Sequence, residues 1–222
     1  MVHVELQVCQ SQMVVFSNVM SWFILISKIS FALCFAFCIY TLFRIISLGK
    51  PKDYAKTKGD INSSIKYSYT GGMSPVKKES AYLHLPTYIA GILYHLGTFL
   101  SLILFFLNVL GINLTNYLII PIAVFLIISG ICGVSILIKR ISKSELNSLS
   151  NADDYISNVI VNVFQFVTIY YLFYLTPIYF VISAVLFLYL PIGKLKHAIY
   201  FFAARFHLGF FYGKRGVWPP QN

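Results

Sequence analysis

Charge is scarce in this sequence. Only 11% of its 222 residues are charged and only seven are acidic, while 58% are hydrophobic. A soluble domain of this length has too little interior to hide so much apolar surface, so lipid is expected to solvate much of the chain. The four cysteines, Cys9, Cys34, Cys38 and Cys132, include no CxxC pair. A thiolate cluster therefore lacks ligands. Cys34 and Cys38, four residues apart on one helical face, read as small packing residues. The opening stretch MVHVELQVCQSQM has no basic region, so no cleaved signal peptide is expected. There is no internal repeat and no low-complexity tract.

What the chain does have is long apolar runs. Crossing the hydrocarbon core takes about 20 apolar residues. The runs predict an all-α membrane protein, one domain over 1–222, built as a bundle of five transmembrane helices near 20–46, 87–110, 117–138, 155–175 and 177–203. The fifth is the least regular. Pro177 to Leu190 is too short to cross, so the helix is expected to continue, kinked, through Pro191.

The 17 basic residues against seven acidic ones give a net charge of +10. The excess could suggest nucleic acid, but its placement argues for a membrane face instead. Lysines 50, 52, 56, 58, 66, 77 and 78 lie in the segment 48–86, Lys139, Arg140 and Lys143 follow the third run, and Lys194, Lys196, Arg205, Lys214 and Arg215 lie in the closing stretch. The opposite side holds at most Lys28. By the positive-inside rule the N-terminus is outside and the C-terminus cytoplasmic, as in the inner membrane of a prokaryote. The segment 48–86 is the one long loop and 204–222 is a cytoplasmic tail. The loop is either a docking surface for a cytoplasmic partner or a basic linker lying on anionic headgroups; Tyr67, Tyr69 and Tyr82 favour the ordered alternative.

Ionisable groups within spans are costly and so are functional candidates. His95 lies in the apolar stretch GILYHLGTFL of the second run, and His197 lies toward the inner end of the fifth. From the residues alone two readings stay open: two axial ligands of one haem iron, or two interhelical hydrogen bonds. Lys194, Lys196 and Arg205 flank His197, either as contacts for haem propionates or as ordinary interfacial anchors. A second haem between His84 and His207 is disfavoured, since Pro86 argues against regular helix there; a partner or proton contact suits His84 better. Lys28 either touches a quinone or snorkels to the interface, and Lys139 and Arg140 are alternatives for a quinone contact on the inner side. Apart from Asn162 and Gln165 the midplane is poor in polar groups, which weakens a transporter reading.

Three stretches carry a resemblance. LYHLGTFL at 93–100, GVSILIKR at 133–140 followed by Asp153 and Asp154, and PIGKLKHAIYFFAARF at 191–206 resemble, in order and spacing, the gamma subunit of respiratory nitrate reductase and the related cytochrome b anchors of heterodisulfide reductase and sulfite-reduction complexes. The resemblance implies a membrane cytochrome b subunit that passes electrons between quinone and a cytoplasmic iron–sulfur partner. It implies His95 and His197 as ligands of the haem nearest the cytoplasm. The positions of a second, outer ligand pair fall at Phe105 and near Tyr179, so one haem b is expected rather than two. A haem-free anchor or assembly subunit of a redox complex is the alternative.

Overall fold

The computed structural model describes residues 2–49, 54–74, 84–112 and 114–220, with side chains from Val19 onward. Among them the regular structure is entirely helical. The helices are α1 (Val2–Ser47), α2 (Ile61–Tyr69), α3 (Leu85–Val109), α4 (Asn116–Ser142), α5 (Ser144–Ser148), α6 (Ala152–Phe173), α7 (Pro177–Tyr189) and α8 (His197–Lys214), with 3-10 turns at Gly71–Met73 and Lys194–Lys196. Four are long and apolar enough to cross a membrane: Val19–Ser47 of α1, then α3, α4 and α6; a fifth span results if Pro177–Tyr189 and Lys194–Lys214 count as one broken crossing. Large apolar side chains point outward along these helices, as with Trp22 (64% exposed) and Ile120 (66%). Such a surface suits lipid and not water.

The fifth crossing differs from expectation. No continuous helix runs from 177 to 203. α7 ends at Tyr189, and its 13 residues rise about 20 Å, short of the roughly 30 Å core. Pro191 is the cause: it brings no N–H for the carbonyl of Phe187, and its ring crowds that carbonyl. The chain turns there, with the amides of Ile192 and Gly193 both donating to Tyr189 O at 3.0 and 2.9 Å.

The chain divides into two compact units, Met1–Phe35 with Ala90–Gly193, and Ala36–Ile89 with Lys194–Asn222. In the first, α6 starts at a reciprocal cap. Asn151 Oδ1 accepts from the Asp154 amide at 3.1 Å, and the Asn151 amide donates to Asp154 Oδ2 at 3.0 Å. Arg140, in the last turn of α4, pairs with Asp154 at 3.1 Å and donates to Ser150 Oγ at 3.2 Å. The end of α4 is thereby stapled to the start of α6.

Glycines bring α3, α4 and α6 together. A Cβ on Gly97 would meet Ser129 Oγ at 1.9 Å, and one on Gly133 would meet Asn162 Oδ1 at 2.3 Å and the Tyr94 ring at 2.4 Å. Hydrogen bonds then lock the register. Ser129 Oγ donates to Gln165 Oε1 at 3.0 Å, and Gln165 Nε2 donates to Thr98 Oγ1 at 2.8 Å and to Tyr94 O at 3.2 Å. The midplane residue Gln165 thus serves as an interhelical tie, while Asn162 Nδ2 donates within its own helix to Asn158 Oδ1 at 2.6 Å. Gln165→Leu should cost about 1–2 kcal/mol in denaturant titration of the purified protein; an unchanged midpoint would remove the amide from the account of helix register.

In the second unit α2 is capped by Asp60, whose carboxylate accepts from the amides of Asn62 and Ser63 at 2.9 and 3.3 Å. It lies along α8. Ser64 and Ser68 are fully buried on one side, and Gly209 and Gly213 allow the approach on the other, where a Cβ would meet Ile65 Cα at 2.6 Å and Ser64 Cβ at 2.6 Å respectively. Ser68 Oγ donates to Arg205 O at 2.7 Å, Tyr69 OH to Phe202 O at 2.5 Å, and the Lys58 amide to Lys214 O at 2.9 Å. Trp218 closes the end, its ring 5.6 Å from that of Tyr67 and 4.6 Å from that of Tyr212. Part of the long 48–86 segment is therefore a folded helix and turn strapped to α8.

Candidate functional site

His95 sits on the outward, exposed side of α3. Its Nδ1 lies 2.7 Å from Gly91 O, one turn back. A carbonyl only accepts, so in the neutral ring Nδ1 carries the proton and the lone pair is on Nε2. The Tyr94 ring stands edge-on, 6.2 Å away. His197 opens α8 and is also exposed. It repeats the arrangement, with Nδ1 2.7 Å from Lys194 O. The two imidazoles come from different helices yet have the same tautomer, fixed in the same way by the main chain. Metal-binding histidines are held by this kind of second bond, which orients the ring and makes the other nitrogen more basic. By donor chemistry both fit an axial position on haem iron.

Within the second unit, His197 shares a turn with Lys194 and Lys196, the former exposed and the latter half-buried. Arg205 is two turns further along α8, its guanidinium 5.6 Å from the centroid of Phe201. His84 is exposed just before α3, its carbonyl accepting from the Tyr88 amide at 3.0 Å. In the first unit Lys28 is exposed on α1 and Lys139 is half-buried at the end of α4. Arg140 is committed to Asp154 and Ser150, a structural assignment that accounts for its presence without a ligand. Among the described residues no three His, Cys, Asp or Glu side chains gather into a metal-binding group.

Phe105 and Tyr179 are the positions at which the resemblance places a second ligand pair. They are 0% and 1% exposed, and their ring centroids lie 6.1 Å apart. Phe187 packs on Phe105 at 4.7 Å, while Tyr171 and Phe164 stack on Tyr179 at 4.2 and 6.2 Å. Phe31 of α1 adds an edge to Phe187 at 5.1 Å. The two positions face each other, and aromatic rings fill the space between them. Beside this cluster Asn108 Nδ2 donates to Tyr171 OH at 2.7 Å, at the edge of a small cavity of about 190 Å³.

The residues that strap α2 to α8 escaped the sequence reading. A signal was present. Gly209-x-x-x-Gly213 and Ser64-x-x-x-Ser68 are small residues at one-turn spacing, the pattern by which helices approach closely. Compared with known proteins, the chain matches no family model, no characterised sequence and no solved structure.

Proposed function

We propose that this protein is a multi-pass membrane subunit that carries electrons between the quinone pool and a cytoplasmic iron–sulfur partner through one b-type haem. The observation that carries the proposal is the shared setting of His95 and His197, each with Nδ1 bound to a main-chain carbonyl at 2.7 Å, the kind of second bond that orients a metal-ligating imidazole. These two residues would be the axial ligands, and Lys194, Lys196 and Arg205 would supply positive charge for the propionates. The haem, when bound, supplies reversible one-electron chemistry. The chain's own residues orient the ligands and set the electrostatics around them. The closed aromatic contact between Phe105 and Tyr179 supports one haem and not two. The distribution of lysine and arginine supports an outside N-terminus and a basic cytoplasmic face, where α2 and the tail would meet the soluble partner.

A reduced-minus-oxidised spectrum of the purified protein tests this reading. The expected result is a six-coordinate b-type signal of one haem per chain, lost in both His95→Ala and His197→Ala. A protein that assembles with its partner and holds no haem would be an anchor or assembly subunit, and the electron-carrying reading would fall. Two haems per chain would overturn the assignment of Phe105 and Tyr179.

A further inference from the structure

The second unit contains a cleft of about 510 Å³ lined by none of the proposed haem contacts. Leu42, Ile46 and Gly49 at the end of α1 line one side, with Tyr69 from α2 and Phe202, Phe206 and His207 from α8. The walls are almost wholly apolar. Tyr69 presents its ring, since its hydroxyl is spent on Phe202 O. His207 is the exception. It is half-buried, and its one partner among the described residues is the Phe206 ring, edge-on at 5.7 Å. Unlike His95 and His197, it makes no hydrogen bond to a described residue. A polar ring is costly on an apolar wall unless something bonds to it.

We propose that this cleft holds the ring of a prenylated quinone, with His207 hydrogen-bonded to a ring oxygen; the proposal rests on the electron-carrying reading above. The chemistry selects the ligand. A lipid acyl chain would fill the apolar walls and leave the imidazole unsatisfied. A water-soluble anion would suit the imidazole and reject the walls. A quinone satisfies both. Neutral imidazole donates to a quinone carbonyl and accepts from a quinol hydroxyl, so one side chain serves both redox states. Phe202, Phe206 and Tyr69 offer flat faces to a planar ring. The volume exceeds that of a ring alone and leaves room for the first prenyl units.

The test uses the full chain in phosphatidylcholine nanodiscs, with a photoreactive short-tailed benzoquinone and the matching naphthoquinone as probes. Cross-links are expected within 42–49 or 202–207. His207→Leu should weaken binding about tenfold, His207→Gln should stay within about threefold of wild type, and Ala203→Trp, at a residue that also lines the cleft, should abolish it. Cross-links elsewhere, equal binding by all three variants, or equal displacement by a fatty acid would overturn the assignment. The haem spectrum is recorded on the same samples. A haem-containing protein with no cross-link in this cleft sinks the cleft alone. A haem-free protein that still cross-links there sinks the electron-carrying reading alone.

Discussion

Gly97→Leu is expected to leave no folded protein in the membrane fraction, while Gly91→Ala on the same helix should be neutral or slightly stabilising. The two glycines are six residues apart and have opposite surroundings. A Cβ at Gly91 meets nothing within 4 Å, whereas one at Gly97 meets Ser129 Oγ at 1.9 Å and Ser129 Cβ at 2.4 Å. The contact lies against a fully buried serine whose hydroxyl is bound to Gln165 at 3.0 Å, so the serine cannot swing away without breaking the tie to α6. Even Gly97→Ala should cost about 2–3 kcal/mol, more than the gain of about 1 kcal/mol in helix propensity. Ser129→Gly removes the obstructing atoms. The double variant Gly97→Ala/Ser129→Gly should therefore recover more than half of that loss, and a denaturation cycle should show strong coupling between the sites. If Gly97→Ala is as stable as wild type, close packing of α3 on α4 is not what holds this unit together.

How much of this was legible in the sequence varies with the physics involved. Apolar length anticipated three of the long apolar helices to within a few residues. The runs at 87–110, 117–138 and 155–175 correspond to α3 at Leu85–Val109, α4 at Asn116–Ser142 and α6 at Ala152–Phe173. Membrane thickness imposes such lengths whatever the neighbours are. The break after Tyr189 was half legible. Pro191 announced a disturbance, but whether a proline kinks or ends a helix depends on what satisfies the freed carbonyls, and that is tertiary information. The helix at Ile61–Tyr69 was hidden by its polarity, because INSSIKYSY has two buried serines where a hydrophobic stripe would be sought. Its stability comes from backbone contact with Gly209 and Gly213, and neither partner signals the other across some 140 residues. His95 stood out as a lone imidazole in an apolar run. His207 did not, because its cleft exists only once α1, α2 and α8 are in place.

The strap between α2 and α8 should fail when its glycines gain side chains. A Cβ on Gly209 would meet Ile65 Cα at 2.6 Å, with Ile65 N and Ser64 O both at 3.1 Å. These are main-chain atoms of a helix, so α2 must move as a body. At Gly213 the obstruction is Ser64 Cβ at 2.6 Å and Ile61 Cα at 3.0 Å. Gly209→Val/Gly213→Val is expected to detach α2, at a cost of about 3–5 kcal/mol. The bonds from Ser68 to Arg205 and from Lys58 to Lys214 would be lost with it. The loss should stay local, since the small elements outside the apolar crossings open without unfolding the rest. Trypsin provides the readout, because Lys58 and Lys66 lie in the docked segment. Cleavage there should accelerate at least about tenfold, and in a Trp22→Phe background the emission of Trp218 should shift red as Tyr67 leaves it. Unchanged cleavage at Lys66 would mean that α2 does not depend on this contact. Detachment also withdraws Tyr69 from the cleft beside His207. The same variant should therefore lose quinone cross-linking while it keeps the setting of His95 on α3.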